Sequence, residues 1–150
     1  MREDISLKLI VVISKAYKHL FKCLEDDIKQ YGINITEFSV LELLYNKGPH
    51  PIQQIGDNVL LASASLTYVI DKLVHKGYVS RSPCESDKRV IYVSLTESGT
   101  SFISTIFPKH SQTIKELTYC LANEQLECLV DHLKTLGINA QNHNLKTKEK

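Results

Sequence analysis

The stretch IDKLVHKGYVSRSPCESDKRVIYVSLTESG, Ile70–Gly99, decides the fold. It begins as the end of an amphipathic helix, turns at Gly77, and continues as two strand-like segments, YVSRS and DKRVIYVSLT, around the turn PCES. Alternating side chains on either side of a turn are typical of a β-hairpin. Asp87, Lys88 and Arg89 open the second segment, so the pattern places one acid and two bases at the end of a strand, at the hairpin tip.

Two short helices are predicted before the hairpin. Pro51 suits the first position of a helix with the sequence PIQQIGDNV, and a second helix is predicted from Ser63 to Lys76 after a turn at 60–62. This order indicates a helix-turn-helix, and the hairpin after it is then a wing. The inward residues of the second helix are Leu66, Val69, Ile70 and Leu73, and the outward ones are Ser63, Ser65, Thr67, Tyr68 and Lys72.

Longer helices are predicted on both sides of this region. Apolar residues recur at steps of three or four from Ile5 to Tyr31, and Gly32 ends that first helix. A second helix begins with Thr36 as its N-cap and ends at KGPHP, because proline cannot continue a helix.

Two further helices are predicted after the hairpin. Thr96 caps the first, which Pro108 is expected to kink, and Asn123 caps the second, which Gly137 ends. The polar tail 138–150 is predicted to be disordered. The apolar stripes of the terminal helices are larger than one small chain covers, which favours an intertwined homodimer over the alternative of a single compact helical core.

The composition describes a globular chain with no overall charge signal. The 150 residues are 43% hydrophobic and carry a formal net charge of +1, so any basic surface must come from local arrangement. No apolar run is long enough for a bilayer span, and the start lacks the order of a signal peptide, so we expect a cytoplasmic protein. The cysteines form no CxxC pair, which argues against a disulfide scaffold or a zinc knuckle; they are Cys23, Cys84, Cys120 and Cys128.

With these elements the sequence resembles the MarR family of winged helix-turn-helix repressors from about Ile5 to Gly137. The specific features are Gly77, Arg81, the D-x-R tip and the L-T-x-x-G exit into the next helix. The segments YGINITEFSVLELLYNKG and LLASASLTYVIDKL resemble the quinone- and hydroquinone-responsive branch. The resemblance implies a homodimeric DNA-binding regulator, a repressor of detoxification or stress genes, that binds an inverted-repeat operator in double-stranded DNA.

The expected fold class is mainly α with a small β-wing, a winged helix-turn-helix with terminal helices that form a dimerisation region. One domain is expected at 1–137, with dimerisation helices at 5–31 and 97–136 and a DNA-binding lobe at 36–96. A disordered tail is expected at 138–150.

The resemblance gives the charged tip a role as a wing in the minor groove. Arg89 suits that groove because a narrow groove concentrates negative potential. Asp87 is expected to pair with Arg81 or Arg89 and fix the wing's shape. Tyr68 stands where many relatives carry arginine, so contact with a phosphate or a thymine methyl group would replace a guanine contact, unless it is an ordinary exposed tyrosine. The predicted DNA-contact residues are Ser63, Ser65, Thr67, Tyr68, Lys72, Arg81, Asp87, Lys88 and Arg89.

Two kinds of signal are compatible with the family. Members release DNA on binding small phenolic compounds, and the resemblance places such a ligand between the dimer helices and the winged lobe. Core packing is the favoured explanation for each aromatic candidate taken singly, whereas the set as a whole favours an aromatic pocket. The candidate lining residues are Tyr17, Phe21, Phe38, Tyr45, Phe107 and His110.

A thiol switch is the alternative signal. Cys84 lies in the wing turn, where Glu85 is expected to raise the pKa of its thiol while nearby basic residues act in the opposite direction. Cys23 is the second candidate, although it lies late in the first helix, unlike the family's thiol sensors. An inert role for each cysteine is the competing interpretation.

No metal site, cofactor or catalytic function is predicted. The histidines form no HxxxH or HxxE pair with a second ligand nearby, and the sequence has no Gly-rich phosphate loop and no G-x-S-x-G motif. A protein-interaction adaptor is a further alternative. It would need an apolar outer face on the recognition helix, where Ser65, Tyr68 and Lys72 lie instead.

Overall fold

The computed structural model describes residues 1–59 and 65–148. It has the predicted fold, with mainly helical structure and one small antiparallel sheet. Its elements are α1 (Arg2–Lys29), α2 (Ile35–Lys47), β1 (His50–Pro51), α3 (Ile52–Asn58), α4 (Leu66–His75), β2 (Val79–Pro83), β3 (Ile91–Leu95), α5 (Glu97–Thr118) and α6 (Asn123–Lys148).

Within the described residues the sheet contains one strand more than predicted. β3 lies in the middle and pairs with β2 on one side and with β1 on the other, where His50 is opposite Val93. A strand of two residues is too short to show an alternating pattern, so β1 has no signal in the local sequence. Because β3 begins at Ile91, residues 87–89 lie in the loop before it; the expectation that they belong to the strand is wrong.

The N-cap of α2 is Asn34 and not Thr36. The backbone N–H of Glu37 donates to Asn34 Oδ1 at 2.8 Å, and the backbone N–H of Asn34 donates to Glu37 Oε2 at 2.9 Å. These reciprocal bonds form a capping box. The N-x-x-E spacing is the sequence signature of the capping box. Thr36 was a candidate for the N-cap because threonine is also common at that position.

The end of α4 is closed by the predicted glycine. Gly77 has φ +76°, and its N–H donates to the carbonyl of Val74 at 2.9 Å, while the N–H of Tyr78 donates to the carbonyl of Leu73 at 3.0 Å. These two bonds are a Schellman motif. At its other end α4 has Ser65 as N-cap, whereas the predicted start at Ser63 and the turn at 60–62 lie outside the described residues.

Thr96 caps α5 as predicted and also links it to the end of α4. Its hydroxyl oxygen accepts the N–H of Gly99 at 3.0 Å, and the hydroxyl donates to the carbonyl of Gly77 at 2.6 Å. A Cβ atom at Gly99 would collide with the backbone carbonyl of Tyr78, so this close approach requires glycine. The helix continues through Pro108 to its end at Thr118.

The prediction that Gly137 ends the last helix is wrong. α6 extends from Asn123 to Lys148, so the described part of the predicted disordered tail is helical. Gly137 does not adopt a positive φ. A glycine inside a helix costs only about 1 kcal/mol relative to alanine, which the residues on both sides outweigh.

The chain divides into two compact units, Met1–Thr113 and a second that begins at Ile114. The first unit contains a continuous apolar core in which Ile28 of α1 is fully buried, but Ile5 and Leu9 near the start of α1 are exposed. The core includes Phe38, Val40, Leu41, Ile55, Ile70, Leu73, Val93 and Ile103. In the second unit, the exposed apolar residues of α6 include Leu129, Val130, Leu133 and Leu136.

Candidate nucleic-acid interface

The wing tip is a loop in which Asp87 holds Arg89. Arg89 donates from Nε to Asp87 Oδ1 at 3.1 Å and from Nη2 to Oδ2 at 3.2 Å, and its backbone N–H donates to Oδ1 at 3.1 Å. These bonds lower the pKa of the Asp87 carboxyl. The Arg89 side chain is nevertheless 91% exposed. The tip therefore presents a guanidinium group that is oriented by its neighbour and still accessible.

Arg81 has a different partner from the one that the sequence suggested. Its Nη1 atom lies 2.6 Å from Asp71 Oδ1, so the ion pair joins β2 to α4 and not to the wing tip. Of the two alternatives for Asp87, the structure shows the pair with Arg89. Arg81 thus fixes the base of the wing against the helix that precedes it.

The outer face of α4 is polar and partly basic. Tyr68 is 57% exposed, and Lys72 Nζ lies 4.9 Å from the centroid of its ring, within cation–π range. Ser65 and Thr67 are exposed beside them, as predicted. The opposite face packs into the core through Val69, Ile70 and Leu73, which confirms the predicted inward positions. Hydroxyl and ammonium donors on one helix face suit contacts with phosphates and base edges.

Residues 33–91 match the family model described as MarR family. The chain is also 46% identical to the HTH-type transcriptional regulator MhqR of Bacillus subtilis (strain 168), over 93% of this chain and 97% of that protein. The chain belongs to the MarR family. It is a winged helix-turn-helix transcriptional regulator, as the resemblance implied.

Solved MarR structures share this fold. A MarR-like transcription regulator from Bacillus cereus ATCC 10987 has a TM-score of 0.78 at 25% identity, covering 89% of this chain and 96% of that one. A C80S mutant of MarR from E. coli, in complex with operator DNA, has a TM-score of 0.73 at 24% identity, covering 89% of this chain and 95% of that one.

The six aromatic candidates for a MarR effector pocket form three separate pairs. Tyr17 and Phe21 have ring centroids 4.3 Å apart and line an open groove of about 540 Å³ with Lys18, Ile35 and Thr36. The other pairs are Phe38 with His110 and Tyr45 with Phe107, at 4.6 Å and 6.2 Å. Two of the six candidates therefore line a common groove, and an effector pocket between the dimer helices and the winged lobe stays a prediction.

Phe38 and His110 belong to the core and do not line an open cleft. Phe38 is 2% exposed and His110 is 5% exposed. His110 Nδ1 lies 2.7 Å from Asp27 Oδ2, and the Thr113 hydroxyl donates to Asp27 Oδ1 at 3.0 Å, so the three residues join α1 to α5. Sequence reasoning missed this cluster because its members are far apart along the chain and follow no local pattern.

The environment of Cys84 in the wing turn settles the direction of its pKa shift, which the opposing charges in the sequence left open. Its Sγ atom lies 3.1 Å from the Ser86 hydroxyl. The pKa of the thiol is lowered, first by that hydrogen bond and then by the backbone N–H groups of Asp87 and Ser86. Donors in direct contact stabilise a thiolate, so the expected influence of Glu85 does not decide the direction. Cys23, the other candidate, is exposed on α1.

Other classes of site have no support in the described parts of the chain. Across 1–59 and 65–148, no three or more His, Cys, Asp or Glu residues are grouped so that they could hold a metal ion. None of the helices in those ranges combines the length and the apolar character that a bilayer span requires.

Proposed function

We propose that this chain is a homodimeric, cytoplasmic repressor of detoxification or stress genes that acts by binding DNA and not by catalysis. In this proposal α4 enters the major groove of an inverted-repeat operator, and the wing reaches the adjacent minor groove. The observation that carries the proposal is the oriented and exposed guanidinium of Arg89 beside the polar outer face of α4. The operator complex of the E. coli relative supports it.

The proposed DNA contacts follow from the chemistry of the wing loop and of the outer face of α4. Arg89 suits the narrow minor groove, and Lys88 beside it suits a phosphate. On α4, Ser65, Thr67 and Lys72 supply donors for phosphates and base edges, while Tyr68 offers a ring for a thymine methyl group. Asp87 does not contact DNA in this arrangement, because its carboxylate is engaged in orienting Arg89.

The proposed homodimer gives each terminal helix a partner for its apolar face. Ile5 and Leu9 of α1 are 62% and 42% exposed, and Val130 of α6 is 48% exposed. Exposed apolar residues clustered on a helix mark a protein–protein interface, and each of the two helices carries such residues. A two-fold axis would place two copies of α4 about one turn of DNA apart, roughly 34–36 Å, which predicts the inverted repeat.

Fluorescence anisotropy with a labelled duplex from upstream of the gene tests the DNA proposal. Arg89→Ala should weaken operator binding by roughly 1–3 kcal/mol and reduce the magnitude of the log–log salt slope by about 1. Lys109→Ala, which removes a positive charge from an exposed position on α5, is the control. The proposal would be contradicted if the Arg89→Ala variant bound the operator as tightly as the wild type. It would also be contradicted if the affinity of the wild type did not depend on salt concentration.

The proposed inducer is a small phenolic or quinone-type compound. The Tyr17–Phe21 groove supports this choice, because paired aromatic rings beside Ile35 suit a flat ring and the ammonium group of Lys18 suits its oxygen atoms. The test adds a hydroquinone or its quinone to the operator complex of the wild type and of a variant with all four cysteines changed to serine. Release of DNA from both proteins supports a bound ligand.

A thiol switch is the second candidate, favoured by the lowered pKa of Cys84 and its place in the wing. Oxidation or modification of that thiol would alter the loop that holds Arg89. In the same experiment, release from the wild type but not from the cysteine-free variant supports the switch. Separate Cys84→Ser and Cys23→Ser variants then identify the thiol.

A further inference from the structure

Glu37 has a carboxylate that is buried and fully engaged. The residue is only 2% exposed. Its Oε2 atom accepts the backbone N–H of Asn34 at 2.9 Å, and its two oxygens accept Lys76 Nζ at 3.0 Å and 3.1 Å. A buried carboxylate is costly unless charged or hydrogen-bonding partners surround it, so these contacts define where Lys76 must lie.

Lys76 is the C-cap residue of α4, the recognition helix of the proposed DNA complex. Its ammonium group also donates to the carbonyl of Gly32 at 3.1 Å. One side chain therefore ties the end of α4 to the α1–α2 turn and to the first turn of α2. On the other side, Thr96 donates from its hydroxyl to Gly77 and from its N–H to the carbonyl of Tyr78 at 3.1 Å.

We infer that Glu37 and Lys76 are positioning residues for operator recognition. This inference rests on the proposed function, in which α4 reads bases. α4 has 10 residues and is about 15 Å long, so a tilt of about 5° at its C-terminal end would move its N-terminal end by about 1.3 Å. That displacement would break hydrogen bonds to base edges, because their length varies by only about 0.5 Å, whereas the Coulomb attraction between basic side chains and phosphates falls off slowly with distance and would persist.

The substitution Glu37→Gln distinguishes a positioning role from simple electrostatics, because the two predict opposite changes in affinity for the operator. It removes a negative charge, so electrostatics alone would strengthen binding to any DNA. Loss of the ion pair with Lys76 would instead weaken binding to the operator specifically. The glutamine can still accept the N–H of Asn34, because capping boxes use either glutamate or glutamine.

The experiment measures anisotropy with the operator duplex and with a scrambled duplex of the same composition. For Glu37→Gln the ratio of operator to scrambled affinity should fall by about fivefold or more, with no loss of affinity for the scrambled duplex. Glu127→Gln, the same change of charge at an exposed position on α6, should keep the wild-type ratio. An unchanged ratio in Glu37→Gln would overturn the inference.

The double variant Glu37→Gln/Lys76→Met covers the case in which the single variant does not fold. It removes one charge of each sign, so its net charge equals that of the wild type and neither a lone carboxylate nor a lone ammonium group remains. The inference requires its ratio to fall as well, and a wild-type ratio would overturn it. Equal affinity of the wild type for both duplexes would instead contradict the proposed function.

Discussion

At the scale of single residues, Glu42 shows how burial acts on an ionisable group. Desolvation raises the pKa of this α2 carboxyl, and the imidazole of His110 acts in the opposite direction. That imidazole is itself hydrogen-bonded to Asp27 of α1, so it interacts with two carboxyl groups, those of Asp27 and Glu42. The folded state therefore favours the protonated form of Glu42 more than the unfolded state does.

Glu42→Gln should raise the free energy of unfolding at neutral pH. A folded pKa above the unfolded value contributes stability that is present below the unfolded pKa, about 4.3, and lost as pH rises through the folded pKa. The advantage of the glutamine variant should therefore be larger at pH 8 than at pH 5, measured by urea unfolding. Glu3→Gln, at an exposed position on α1, is the control. An advantage independent of pH would contradict this assignment.

The side chains that could be predicted are those whose partners are close in sequence. Thr96 caps α5 through the N–H of Gly99, three residues away, so the local pattern was sufficient. Asp27 and His110 are separated by 83 positions, and only packing of α1 against α5 brings them together. Lys76 likewise meets Glu37 across a separation of 39 positions, so its role could not be inferred from its own helix.

At the scale of elements, the junction between α4 and α5 depends on a close backbone approach. Gly99→Ala should lower the free energy of unfolding by roughly 1–3 kcal/mol, because the new methyl group would collide with the carbonyl of Tyr78. That carbonyl also accepts the N–H of Thr96, so it cannot move without loss of the bond. Chemical denaturation at fixed protein concentration measures the change.

Gly137→Ala is the matched comparison for Gly99→Ala. It lies inside α6, where a Cβ would meet no atom within 4 Å. Alanine should therefore stabilise the helix there by about 0.5–1 kcal/mol. Equal effects of the two substitutions would show that space around the glycine is not the deciding factor.

Element types were predictable from periodicity, whereas only some of the element ends were. Gly77 and Gly137 are both glycines near the expected end of a helix, yet only Gly77 adopts a positive φ. The residues after each glycine make the difference, because Tyr78 leads into a strand that pairs with β3, whereas the residues after Gly137 continue the helix. β1 exists because β3 offers it a pairing edge, which is a tertiary cause with no local signal.

At the scale of the whole molecule, α1 has apolar residues that one chain leaves exposed. Leu9→Glu should shift the proposed dimer towards monomer and weaken operator binding by about tenfold or more, because an unpaired charge would be buried. Analytical ultracentrifugation measures the first effect and anisotropy the second. Asn46→Glu, which adds the same charge at an exposed position of α2, should leave both unchanged. A dimer that survives Leu9→Glu would place the interface elsewhere.

The wing loop between β2 and β3 has no net formal charge, since Glu85 and Asp87 balance Lys88 and Arg89. At a distance beyond the Debye length, about 10 Å at 0.1 M salt, such a loop gives little attraction to a polyanion. Its guanidinium acts only at short range, once the rest of the protein has arrived on the duplex. Arg89 should consequently affect mainly the rate at which the complex dissociates. The association rate should depend on other surfaces of the protein.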